Sequence, residues 1–212
     1  LNVLIIHAHP EPHSFTSALK DQTVKVMASL GHAVQVSDLY AMRFKAVGDQ
    51  DDVRQRANQD YFKLQAEQNI AYAQGRLAED ILEQQARLTW CNLLILNFPL
   101  WWSSMPAIMK GWVDRVFTTG FAYGSGRRYE TGGLHGRQAM LCFTTGGSQE
   151  SFSSAGEHGD INIILHPIQH GILRFVGFEV LPPFIAWSPA SQPPEIRSAC
   201  LEELSIRLKQ IV

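Results

Sequence analysis

Five short apolar runs alternate along this chain with stretches whose apolar residues recur at helical spacing, and that order limits the folds open to it. Val3 to Ile6 reads as a strand. Behind it Leu19, Thr23, Val26 and Leu30 mark a helix that Gly31 ends. Ala33 to Val36 is a second strand, Ile81 and Leu88 stripe a helix, and Leu93 to Leu96 is a third strand. Ala107 to Phe117 is helical behind Pro106. Ala139 to Phe143 is a fourth strand, and Ile161, Ile164, Leu165, Ile168 and Ile172 mark another helix. Phe178 to Ile185 is a fifth strand, followed by a terminal helix through Leu201, Leu204, Leu208 and Ile211. Strands one, three and four are apolar throughout, as strands covered by helices on both faces must be. The pattern predicts a doubly wound α/β protein with a parallel sheet. At 212 residues, 45% of them hydrophobic, the chain has material for one core and one domain over 1–212.

Two stretches break the alternation. Residues 43–75 form a long polar insertion rich in Gln, Asp and Asn, expected to carry a helix around Tyr61 to Tyr72 that covers an edge or meets a partner. Tyr123 to Tyr129 is a Gly-rich loop between a helix and a strand. Eighteen Lys and Arg against 20 Asp and Glu give a net charge of -2 with no basic block, which argues against nucleic acid. Cys91, Cys142 and Cys200 lie far apart without a C-x-x-C pair, which suits reduced thiols and a cytoplasmic location. No basic leader opens the chain, and no apolar run approaches the roughly 20 residues of a membrane helix, so no membrane insertion is expected.

The chemistry is expected where strands end. Pro99, Leu100, Trp101, Trp102 and Ser103 follow the third strand, placing two large rings where open α/β sheets bind flat ligands. The first strand leads into His9-Pro10-Glu11-Pro12-His13-Ser14-Phe15-Thr16, which has neither a G-x-G-x-x-G nor a Walker pattern. Ser14 and Thr16 instead bring hydroxyls to a helix N-terminus with free amides, a site for phosphate to which His9 can add positive charge; Ser14 reads equally as a plain N-cap. His7, His9 and His13 also suggest a metal, but no Cys or carboxylate cluster supports one. After the fourth strand, Thr144, Thr145, Gly146 and Gly147 let backbone amides approach a ring edge. In the flavodoxin-like order 2-1-3-4-5 of a five-stranded sheet, these three strand ends share one crevice.

Ser37-Asp38-Leu39-Tyr40-Ala41-Met42, Phe98-Pro99-Leu100 with Trp102, Pro106-Ala107-Ile108 with Lys110-Gly111-Trp112, Thr144 to Ser148, His158-Gly159-Asp160, Pro167-Ile168-Gln169 and Gly171-Ile172-Leu173 together resemble the NAD(P)H:quinone oxidoreductase (DT-diaphorase) family, collinearly over nearly the whole chain. Because the chain ends at Val212, it is similar to the shorter bacterial members. The resemblance implies a homodimer that binds FAD rather than FMN, takes hydride from NADH or NADPH, and passes it to a quinone or similar flat acceptor by a ping-pong mechanism. It implies that His9, Phe15 and Thr16 line the pyrophosphate and ribityl region. Leu100 to Ser103 would back the isoalloxazine, Thr144 to Gly147 would bond its pyrimidine edge, and Arg197 would reach the adenine. Trp102, Tyr123 and His158 would border the substrate pocket.

Several positions depart from the family pattern. Thr16 replaces an Asn, Trp101 a Gln of the animal enzymes, and Ser103 an aromatic of the quinone pocket. Phe152 stands where the pattern has a Tyr that works with His158, so the candidate catalytic residue His158 would act alone. An imidazole whose pKa lies near working pH can answer negative charge developing beside it, although His158-Gly159-Asp160 also reads as a helix start. Two other functions fit the same resemblance. One is a nitro- or azo-reductase using the same flavin site, and the other is a flavin-binding regulatory subunit of a potassium-efflux transporter.

Overall fold

The computed structural model describes residues 1–211. Its centre is a parallel sheet in the order β2-β1-β3-β4-β5, formed by β1 (Asn2–His7), β2 (Ala33–Asp38), β3 (Leu93–Pro99), β4 (Gln138–Thr144) and β5 (Glu179–Val180). The side-chain period of two splits each central strand between two cores. Leu4, Ile6, Leu94, Leu96, Leu141 and Phe143 face one side, against α3 (Glu79–Trp90), α4 (Ala107–Val116) and α5 (Ile161–Ile168). Val3, Ile5, Leu93, Ile95, Met140 and Cys142 face the other, against α1 (Phe15–Ser29) and α6 (Pro194–Lys209). Continuous apolar strands were the sequence signal for this doubly covered sheet, and β3 is buried at all seven positions.

The fifth strand is not continuous. Pro182 and Pro183 interrupt it, and the chain resumes as β6 (Phe184–Ala186), which also pairs in parallel with β4. Proline has no N–H for a ladder, so the fifth position of the sheet is shared by two short pieces. The helix expected through Ile172 also changes character. Pro167 cannot donate to the preceding turn, and after Ile168 the chain widens into a π turn over Gln169–Arg174.

The insertion does contain a helix, α2 (Leu64–Ala73), but it packs on α3 and the end of α4 rather than along a sheet edge. Ala71 joins Val53, Leu77 and Ile81 in a small separate core, and Tyr72 meets Phe121 at 5.9 Å. The Glu67 carboxylate accepts the amides of Ala57 and Asn58 at 2.7 and 2.8 Å, and these bonds hold it below the usual carboxylate range. The other end of the insertion lies against α4 with no room to spare. A Cβ on Gly111 would lie 2.0 Å from the Ala46 carbonyl oxygen. Both groups are backbone, so no rotamer relieves the clash. Gly111→Ala is therefore expected to cost about 3 kcal/mol, read as a lowered urea midpoint at unchanged slope. The three cysteines are free, and burial pushes the Cys142 thiol up to about 12, far from a reactive thiolate.

Candidate functional site

The carboxyl ends of β1, β3 and β4 open on a cleft of about 690 Å³, within the range of sites that hold small ligands and cofactors. Each sheet end supplies one wall. His9, Ser14, Phe15 and Thr16 come from the loop after β1; Pro99, Leu100 and Trp101 from the loop after β3; Thr144, Thr145 and Gly146 from the end of β4. Arg197 of α6 closes the far end. Eleven residues singled out from sequence thus converge. His13, Ala18, Pro189 and Ala190 line it as well. Pro189 and Ala190 could have been found, because the Ser188-to-Pro193 loop follows the fifth strand and so sits at the same end of the sheet.

The first wall has a build that favours an anion. Ser14 caps α1, its Oγ accepting the Ser17 amide at 3.1 Å, while the amides of Phe15 and Thr16 have no protein acceptor among the described residues. Two free N–H groups at a helix N-terminus favour negative charge. Ser14 is therefore an N-cap and a cleft residue at once. The Glu11 amide donates to His9 Nδ1 at 3.0 Å, which leaves Nε2 as the donor of the neutral His9 ring. Thr16 Oγ1 and Thr144 Oγ1 lie 2.9 Å apart and pin this wall to the end of β4.

On the aromatic side the chain reverses sharply. Trp101 and Ser104 exchange amide hydrogen bonds at 3.0 Å in both directions, and the two residues between them, Trp102 and Ser103, have φ of 50° and 56°. A two-residue turn with both φ positive normally calls for Asn and Gly, and non-glycine residues held there store of order 1 to 3 kcal/mol each. The result divides the expected stacking wall. Trp101 stays on the cleft, 42% exposed, with its ring 6.1 Å from His9. Trp102 sits at the apex of the turn and is fully exposed, and Ser103 is exposed beside it, so neither lines the cleft within one chain.

The β4 rim is open at Gly146, where an added Cβ would meet nothing within 4 Å, and the amides of Gly146 and Gly147 have no protein acceptor among the described residues. A Cβ on Gly147 would lie 2.6 Å from Ser151 Oγ and 3.0 Å from the His158 ring. Any side chain at Gly147 would have to displace Ser151 Oγ or the His158 ring from the rim. His158 is half exposed, with Phe152 packed on it at 4.7 Å between ring centroids. Asp160 caps α5 by accepting the Asn162 amide at 2.8 Å, so the helix-start reading describes Asp160, while His158 faces the rim. Phe152 is buried between His158 and Trp187 and does not line the cleft. Tyr123 departs furthest from expectation. It packs on Phe175 at 5.5 Å and lines a second cavity of about 420 Å³ with Val113 and Phe117, so a pocket bordered jointly by Trp102, Tyr123 and His158 is not formed in one chain.

Fold and cleft together define a flavodoxin-like protein whose main cleft lies where the strand order reverses. A family model described as flavodoxin-like fold matches residues 1–208. The chain is 43% identical to NAD(P)H dehydrogenase [quinone] 1 of Cavia porcellus over 98% of its own length and 76% of that protein. It is 47% identical to a ribosyldihydronicotinamide dehydrogenase-like protein of Penicillium crustosum over 88% of its length and 73% of that protein. A solved Klebsiella pneumoniae structure, a candidate quinone reductase, is 42% identical and superposes with a TM-score of 0.96, covering 100% of this chain and 85% of that one. The chain belongs to the NAD(P)H:quinone oxidoreductase family.

Among the described residues no helix is long and apolar enough to cross a membrane.

Proposed function

We propose that this protein is a flavoprotein that moves two electrons from a reduced nicotinamide to a quinone or similarly flat acceptor. The observation that carries this reading is the convergence of an anion wall, an aromatic wall and a glycine rim on one 690 Å³ cleft, in a member of this family. A bound flavin would supply hydride transfer at its N5, the chemistry that belongs to the cofactor rather than to the protein. The chain's own residues do the rest. The Phe15 and Thr16 amides and the hydroxyls of Ser14 and Thr16 would hold phosphate, Leu100 and Trp101 would flank the ring, and the Gly146 and Gly147 amides would meet its polar edge. His158, beside Gly147, is placed to hold or give a proton as charge develops there. Arg197 of α6 also lines the cleft, and a guanidinium there is suited to the adenine half of FAD, which supports FAD over FMN.

The test is an absorbance spectrum of the purified protein, mass identification of the cofactor released by heat, and anaerobic bleaching by NADH, NADPH or ribosyldihydronicotinamide. A flavin spectrum bleached by one of these donors, followed by reoxidation with quinone and parallel initial-rate lines, is expected. Release of FMN alone overturns the FAD assignment, and turnover of azo or nitro compounds without quinones overturns the acceptor.

We further propose a homodimer. An exposed Trp on a strained turn and an open cavity with Tyr123, Phe117 and Phe175 on its walls support two sites completed by a second copy. Trp102→Ala is then expected to leave the unfolding midpoint of the single chain nearly unchanged, because the ring buries nothing there, while turnover falls clearly. Unchanged turnover removes Trp102 from the site. A monomer at micromolar concentration by light scattering counts decisively against the dimer.

A further inference from the structure

His7 ends β1 directly beneath the anion wall and is 1% exposed. Both of its ring nitrogens have partners. Nδ1 lies 2.6 Å from Asn97 Oδ1, and Asn97 Nδ2 donates to the Cys142 carbonyl at 3.3 Å. That second bond orients the amide, since turning it would set Oδ1 against another carbonyl oxygen. Oδ1 therefore faces His7, and Nδ1 carries a hydrogen. Nε2 lies 3.2 Å from Ser17 Oγ, which is also 3.0 Å from the Glu11 carbonyl oxygen. Ser17 has a single hydroxyl hydrogen for these two acceptors, and its Oγ also lies 3.0 Å from Ser14 Oγ, whose hydroxyl can donate to it. With a neutral ring, Nε2 competes with Glu11 for the Ser17 hydrogen. With an imidazolium the conflict disappears, because Nε2 donates to Ser17 and Ser17 donates to Glu11. The same Glu11 carbonyl accepts the Ser14 amide at 3.2 Å, so this chain of bonds grips the loop that carries the anion wall.

Charges of both signs surround the ring. Asp38, the register partner of His7 on β2, favours the cation, whereas Lys20 of α1, His9 of the loop and the positive end of α1 oppose it. The side of the ring toward β3 and β4 offers Asn97 and, beyond it, Cys142, whose thiol burial keeps protonated. Burial pushes the imidazole below its ordinary value, which favours the neutral ring in the ligand-free protein. A ligand phosphate on the Phe15 and Thr16 amides cancels the positive end of α1 and adds negative charge above the ring.

We propose that His7 is a proton-linked positioning residue that takes up one proton from solvent when a phosphate-bearing ligand settles on the N-terminus of α1, and so tightens the Glu11-to-Ser17 loop around it. The inference rests on the flavin reading only in taking that phosphate to be the cofactor's. Affinity then falls as pH rises between the free and bound pKa of His7, by up to tenfold per pH unit.

FAD is the first probe, because its diphosphate neither gains nor loses a proton near neutral pH, and FMN is the second. Apo protein is titrated with each from pH 6 to 8 by calorimetry in buffers of different ionisation enthalpy. The His7 ring nitrogens are followed by ¹⁵N NMR, with assignment from the signal lost in His7→Gln. The expected result is one protonated ring nitrogen in the apo protein and two in the complex, a dissociation constant that weakens with pH, and a flatter profile in His7→Gln. The NMR measurement on the unaltered chain decides the matter even where His7→Gln fails to fold, with assignment then taken through the bond network to Asn97. A flavin that binds while His7 keeps one bare nitrogen throughout overturns this inference alone. Failure of both FAD and FMN to bind overturns it together with the flavin reading.

Discussion

Replacing His158 with Gln is expected to slow bleaching of the bound flavin by a reduced nicotinamide about 30- to 1000-fold, because one lost charge-stabilising contact costs about 2 to 4 kcal/mol in the transition state. Flavin binding should change far less. The amides and hydroxyls of the cleft remain, and His158 borders only the Gly147 rim. The Phe152 ring, 4.7 Å from the imidazole, offers the complementary variant. Phe152→Tyr adds a hydroxyl near His158 at little change in volume and should speed reduction or leave it unaltered. Stopped-flow bleaching separates the outcomes. If His158→Gln reduces at the parent rate, the residue has no part in the chemistry and serves only the turn that leads to α5.

The largest expected loss of stability is at Arg115. This side chain is 1% exposed, and its Nε donates to the fully buried Asp52 at 2.8 Å. Nη1 donates to the Lys45 carbonyl at 2.9 Å, and Nη1 and Nη2 both reach the Asp80 carboxylate. Three segments, the insertion, α3 and α4, therefore share one guanidinium. Asp52 Oδ2 already has no partner. Arg115→Met would leave the buried Asp52 carboxylate with no hydrogen-bonded cation and only the Lys45 ammonium 3.7 Å from Oδ1, and breaking a buried pair in this way costs about 3 to 5 kcal/mol. Urea unfolding of matched flavin-free samples should show it as a lowered midpoint. Adding Asp52→Asn to Arg115→Met should restore part of the loss, because the damage comes from the abandoned charge. If the double variant is no more stable than the single one, the guanidinium's own packing, including its place 5.0 Å over the Phe44 ring, explains the effect instead.

Local rules made the architecture legible in advance. Val3 to Ile6, Leu93 to Leu96 and Ala139 to Phe143 are apolar on both faces, a property of the residues themselves, and a strand so built needs helices on both sides. The order of strands then put the three loops at one crevice, and His9, Ser14, Phe15, Thr16, Pro99, Leu100, Trp101, Thr144, Thr145, Gly146 and Arg197 do meet there. The β5 break and the π turn were also written in the chain, as Pro182, Pro183 and Pro167, although apolar periodicity alone reads across them.

What the sequence by itself determined was the type and order of the elements and which loops share an end of the sheet, because burial on one or two faces is set by residues two to four apart. Only the tertiary structure decided where particular side chains point and what they touch. Trp102 stands in solvent because a two-residue turn takes positive φ with no Gly or Asn to announce it. Tyr123 joins Phe175, 52 positions on, at a second cavity. His7 meets Asn97, 90 residues away, and Arg115 meets Asp52, 63 residues away. Such pairs carry no local pattern; they exist because strands and helices distant in the chain are pressed together, and a buried donor must find an acceptor in whatever element lies opposite.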